Sequence, residues 1–110
     1  MPSFHEISDL AALDTLLASA GTSVLLLHDP WCPISERAWG ELESSAAETI
    51  VWFDVSERRD FSALVASRTG VRHESPQLFV LIDGNVVWSG SHSRIRATTV
   101  NEALGSSAAR

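Results

Sequence analysis

Apolar positions along the chain switch repeatedly between helical spacing and short unbroken runs. From Ser8 to Ala20 they fall at Leu10, Leu13, Leu16, Leu17 and Ala20, which predicts a first helix, capped by Ser8 or Asp9 and ended by Gly21. Val24-Leu25-Leu26-Leu27-His28 does not alternate, as befits a strand covered by helices on both faces. Ile34, Ala38, Trp39, Leu42 and Ala46 return to helical spacing between Pro33 and about Glu48, and a proline at the first helical position fits because its missing N–H would have no partner there. Ile50 to Val55 predicts a second buried strand, followed by a helix from about Arg58 to Arg68 with Phe61, Leu64 and Val65 inward and Gly70 as its stop. Gln77 to Ile82 forms a third strand behind Pro76. Asp83-Gly84-Asn85 then supplies turn residues before Val86-Val87-Trp88, which together predict an antiparallel hairpin. Phe4 to Ile7 is a candidate edge strand. Val100, Ala103 and Leu104 mark a short closing helix with Thr99 and Glu102 as a capping box, and Gly105 to Ala109 reads as a frayed end.

Parallel βαβ, then a helix, then a ββ hairpin is the element order of the thioredoxin fold, an α/β class with a central mixed sheet of four to five strands flanked by helices. At 110 residues and 45% hydrophobic composition, the chain is sized for one domain, residues 1–110, with a core that needs no staples. The net charge is −6, and all eight basic residues are arginines with no cluster larger than Arg58-Arg59, so the electrostatic grip on a phosphate backbone is missing and no nucleic-acid partner is expected. The longest apolar run, Val24 to Leu27, is too short to span a bilayer, and the first 20 residues lack a signal-peptide pattern; no membrane partner and a cytosolic location are the expectation. The single cysteine rules out an internal disulfide and a multi-thiolate zinc site.

That cysteine, Cys32, lies four residues after a strand and one before Pro33, which places its sulfur at the N-cap of the second helix. A thiolate there accepts hydrogen bonds from the N–H groups of Ile34 and Ser35 and meets the positive end of the helix dipole, worth about 0.3–2 kcal/mol in its favour. Asp29, Glu36 and the overall acidity oppose it. An arbitrary lone cysteine is a small buried hydrophobe; one at a strand-to-helix turn between a tryptophan and a proline is a candidate nucleophile.

Cys32-Pro33-Ile34-Ser35 after a buried strand, Asp54-Val55, Arg59-Asp60, Gly70-Val71-Arg72-His73-Glu74-Ser75-Pro76-Gln77, Asp83-Gly84, Val87-Trp88 and Ser91-His92 occur in one order from about Val24 to Ile95. This series resembles the monothiol, thioredoxin-like bacilliredoxins of the Cys-Pro-Ile-Ser type. The resemblance implies a thiol–disulfide oxidoreductase that removes bacillithiol from S-thiolated cytosolic proteins, with bacillithiol as co-substrate and no tightly bound cofactor or metal. It implies Cys32 and Ser35 as catalytic residues, Pro76 as the cis-proline facing the cysteine, and Trp31, Pro33, Ser75, Pro76, Ser91 and His92 as the substrate-binding surface. A proline there exposes neighbouring backbone to an extended substrate. Trp31 departs from the smaller residue of that family, and the stretch after Ile95 departs from its final helix start.

With Ser35 where a dithiol protein has its resolving cysteine, the chemistry expected is monothiol: Cys32 attacks a mixed disulfide and an external thiol releases it. Ser35 either donates its hydroxyl to the sulfur or satisfies first-turn backbone. His28 is read as a structural histidine, Trp52 and Trp88 as core, Trp39 as buried and Trp31 as exposed beside the thiol; His73, Glu74 and His92 fall in loops around the site. His5, His28, His73 and His92 form no metal-ligand spacing with Cys32. The competing class is a redox-inactive thioredoxin-like binding module. A cluster-carrying monothiol protein is disfavoured by Pro33, where such proteins need glycine.

Overall fold

The computed structural model describes the backbone of residues 2–108 and the side chains of residues 2–105. The order is β1 (Ser3–Glu6), α1 (Leu10–Leu16), β2 (Thr22–His28), α2 (Pro33–Glu43), β3 (Thr49–Asp54), α3 (Arg59–Thr69), β4 (Gln77–Ile82), β5 (Asn85–Ser91), a 3₁₀ turn (His92–Arg94) and α4 (Ala97–Ala108). The five strands lie in the order β1-β3-β2-β4-β5. β1 and β2 each run parallel to β3, whereas β4 is antiparallel to both β2 and β5.

β2 is central, so its apolar run is buried on both faces, and side-chain parity divides it between two cores. Leu25 and Leu27, with Phe53, Phe79 and Leu81, pack on Leu13 of α1, on Leu17 at its C-cap and on Phe61 and Val65 of α3. Val24 and Leu26, with Ile50 and Leu78, pack on Ala38 and Leu42 of α2 and on Val100 of α4. Each fully buried leucine or phenylalanine contributes about 1.5–3 kcal/mol, which makes this two-sided sheet the main source of stability.

Several boundaries differ from the spacing. α1 ends at Leu16 rather than Ala20, because Ala18 and Ser19 donate to Thr15 and Leu16 carbonyls in tighter turns. Gly21 immediately precedes β2 rather than capping the helix: at φ 79° it exchanges two hydrogen bonds with Asp83, its N–H to Oδ1 (2.7 Å) and its carbonyl from the Asp83 N–H (2.9 Å). α2 stops at Glu43, five residues before the predicted Glu48, and Ala46 beyond it donates its N–H to Asn101 of α4. The hairpin turns through Asp83 and Gly84, both at positive φ, as a two-residue connection between twisted strands requires. The Thr99–Glu102 capping box is not formed. Thr99 lies inside α4 and reaches back to accept from the Arg96 N–H, while Glu41 of α2 accepts from the Ala97 N–H (3.0 Å). α4 is longer than the short helix expected and its backbone continues through Gly105 to Ala108 of the segment read as frayed; Ala109 lies outside the described residues.

Candidate active site

Register brings the candidate residues to one edge of the sheet. Leu27 pairs with Gln77, Gln77 with Ser91, and His28 with Asp54, so the ends of β2 and β3, the start of β4 and the end of β5 meet there. α2 and α3 begin at this edge. Cys32, Pro76 and the adjacent Ser91 and His92 therefore converge from three separate segments.

Cys32 occupies the N-cap of α2 with extended backbone (φ −109°, ψ 121°), and Pro33 is the first helical residue. The free thiol is half-buried. It makes no side-chain capping hydrogen bond, so the contacts predicted from Ile34 and Ser35 N–H are absent. The turn before it is held by backbone: the Cys32 N–H donates to Asp29 O (3.1 Å) and the Trp31 N–H to Asp29 Oδ1 (3.0 Å). Trp31 is 83% exposed and Ile34 50%, which leaves two large apolar side chains uncovered on either side of the Cys32-Pro33 pair.

Ser35 lies inward, with 0% of its surface exposed. Its hydroxyl oxygen accepts the Asp29 N–H (2.9 Å) and lies 2.8 Å from His28 Nδ1. Of the two roles considered for Ser35, the structure shows the one toward backbone, and the partner is Asp29 rather than the first turn of the helix. His28 is 4% exposed, and its ring packs against Trp39 (4.8 Å between centroids) and edge-on to Trp52 (5.6 Å). Its Nε2 faces the Glu36 carboxylate at 3.6 Å. Burial pushes the His28 pKa below the ordinary value of 6.5, against the attraction of the Glu36, Asp54 and Asp29 carboxylates. Trp39 is half-buried rather than buried, and it stacks at 4.1 Å on Phe4, itself a half-buried residue of the edge strand. Trp52 and Trp88 are likewise half-buried against the α2–α4 core.

The Ser75–Pro76 peptide bond is cis. The loop before it is fixed at three points. Gln77 accepts the Glu74 N–H through Oε1 and donates through Nε2 to Arg72 O; the Ser91 hydroxyl donates to Glu74 Oε2; and the His92 N–H donates to Pro76 O. The Ser75 hydroxyl is buried with no partner among the described residues. His92 sits at φ 53°, which turns the chain out of β5 directly beside Pro76.

Sequence reasoning did not single out Asp29 or Gln77 as supports of the site, and it gave Glu74 only a loop position. The signal existed in part for Gln77: a glutamine at the first position of an otherwise apolar strand is buried and must find partners. Among the described residues, no group of three or more His, Cys, Asp or Glu side chains gathers in a way that could hold a metal ion, and no helix is long and apolar enough to cross a membrane.

A family model described as monothiol bacilliredoxin BrxC matches residues 5–100. Among solved structures, an oxidoreductase candidate with a thioredoxin fold superposes with a TM-score of 0.84 at 26% identity, covering 92% of this chain and 93% of that one. Thioredoxin from Trypanosoma brucei brucei gives 0.76 at 12% identity over 99% and 94%. A mutant thioredoxin from Halobacterium salinarum NRC-1 gives 0.69 at 18% over 94% and 89%. The fold is that of thioredoxin: a five-stranded mixed sheet between two pairs of helices.

Proposed function

The chain belongs to the monothiol bacilliredoxin family, and from that premise we propose that it removes bacillithiol from S-bacillithiolated cytosolic proteins by thiol–disulfide exchange at Cys32. The observation that carries this reading is one accessible thiol at a helix N-cap in a chain with no second cysteine, with a buried serine at the position that would resolve it. In the first step the Cys32 thiolate attacks the bacillithiol sulfur of a protein–S–S–bacillithiol bond. A Cys32–S–S–bacillithiol bond forms, and the protein leaves as its thiolate. In the second, the thiolate of another small thiol attacks the bacillithiol sulfur, returns Cys32 as thiolate and leaves with bacillithiol as a low-molecular-weight disulfide. Electrons balance at each exchange, and no internal disulfide intervenes.

The exposed Trp31 and Ile34 supply an apolar contact for the protein substrate, and the backbone beside Pro76 supplies an edge for an extended segment. Incubation with a bacillithiolated protein, followed by intact-mass measurement, gives one bacillithiol adduct on the wild type and none on Cys32→Ser. Absence of the adduct on the wild type would sink the mechanism. Tight partner binding that survives both Cys32→Ser and added reductant points instead to a binding module, for which the uncovered Trp31 is the favouring feature.

A further inference from the structure

We infer that His28 is a positioning residue for Cys32: its imidazole accepts a hydrogen bond from the buried Ser35 hydroxyl and thereby fixes the turn that carries the thiol. The inference rests on the reading of Cys32 as the exchanging group. Parity delivers the histidine, since Val24 and Leu26 point to the α2–α4 core and His28, two residues on, points under the first turn of α2. There a continuous chain of hydrogen bonds begins. Nδ1 meets Ser35 Oγ at 2.8 Å, Ser35 Oγ accepts the Asp29 N–H at 2.9 Å, and Asp29 accepts the Trp31 N–H on Oδ1 and the Cys32 N–H on its carbonyl.

The protons follow from this network. An amide can only donate, so Ser35 is the acceptor toward Asp29. Nε2 faces the Glu36 carboxylate, which places the ring proton on Nε2 and leaves Nδ1 bare. The one hydroxyl proton of Ser35 therefore goes to Nδ1, and none remains for Cys32 Sγ while the ring is neutral. Burial favours the neutral ring, against the Asp29, Glu36 and Asp54 carboxylates that face it from the turn, from α2 and from β3. A second proton, on Nδ1, reverses the first link: Nδ1–H then donates to Ser35 Oγ, which takes it and the Asp29 N–H on its two lone pairs, and the hydroxyl proton is released from the ring. Ser35 in the resolving position is thus a rivet beneath the thiol.

The test uses the full chain, whose only cysteine reports alone, and measures the rate of reaction with a small aromatic disulfide from pH 5 to 8.5. His28→Leu and Ser35→Ala should each slow the reaction about five-fold at pH 7.5, the worth of one well-made buried hydrogen bond. The double variant should be no slower than the slower single one, because both cut the same chain. His28→Asn, which presents an amide oxygen near the Nδ1 position and does not titrate, should restore the rate to within about two-fold and remove the inflection that the wild type shows below pH 6.5. A folded His28→Leu at the wild-type rate, or a double variant whose loss is the product of the single losses, overturns the inference. If His28→Leu does not fold by circular dichroism, Ser35→Ala at the wild-type rate overturns it. Because this readout involves no bacillithiol, a protein that fails to release bacillithiol but shows these effects refutes only the proposed function.

Discussion

Two glycines with nearly the same backbone show how one residue's neighbourhood decides its cost. Gly70 (φ 72°) caps α3 and Gly84 (φ 81°) sits in the β4–β5 turn; both lie in the left-handed region, where a side chain costs about 1–2 kcal/mol. A Cβ on Gly70 meets nothing within 4 Å, whereas one on Gly84 lies 2.9 Å from the Leu17 backbone oxygen. Gly70→Ala should therefore lose about 1 kcal/mol in urea unfolding, and Gly84→Ala clearly more, about 2–3 kcal/mol, because the end of α1 must also move. Equal losses would remove the close approach as a cause. Both glycines were legible as stop and turn from the sequence, since turn chemistry is local. The packing of the hairpin turn against α1 was not, because it joins residues more than sixty apart. Cys32 follows the same division. Its N-cap position follows from a strand, a short loop and Pro33, but the partners of Ser35 are the Asp29 N–H and His28, which pattern placed only at the end of a strand.

Elements here are tied across the chain at their ends, and this explains where local reading fails. A helix terminus leaves N–H or C=O groups unpaired, and a sequence search looks for caps within four residues. For α4 that search yields Thr99 and Glu102, yet the N–H of Ala97 is taken by Glu41, and in return Asn101 accepts the N–H of Ala46 beyond α2. Glu41 thus caps the start of α4, while Asn101 takes the Ala46 N–H that a continuing α2 would give to the Leu42 carbonyl, which accounts for α2 ending before the predicted Glu48. Glu41→Ala should cost about 0.5–2 kcal/mol, the usual worth of a helix cap, while Glu41→Gln, which keeps an oxygen acceptor, should lose less than half of that. Urea denaturation of the two variants checks this; an alanine variant as stable as the wild type would show that water replaces the cap. Periodicity was reliable wherever burial dictated the pattern, as in β2, β3 and α3, and unreliable where a distant side chain set the boundary.

At the scale of the whole molecule, parallel β2 and β3 carry the helix starts, the thiol and the buried His28 to one edge, and the opposite edge holds the structural ties of Gly21, Asp83 and Gly84. Placing a titratable ring beneath the candidate site links stability to pH. His28 has a pKa lowered by burial, so between that lowered value and the ordinary 6.5 the unfolded chain binds the proton and the folded chain does not. Stability contributed by the neutral ring is then complete above about pH 6.5 and falls as the pH drops through the window below it. The −6 net charge works in the other direction, because partial neutralisation of the carboxylates relieves self-repulsion as the solution is acidified. The difference between wild type and His28→Asn isolates the ring, since both share every other charge. Urea midpoints measured from pH 7.5 to 5 should converge or cross as the pH falls, with the wild type losing stability relative to the variant below about pH 6.5 and holding a constant difference above it. Two curves that stay parallel across the whole range would mean that His28 carries its ordinary affinity for protons in the folded state, and that the neutral ring beneath Cys32 is not a property of the fold.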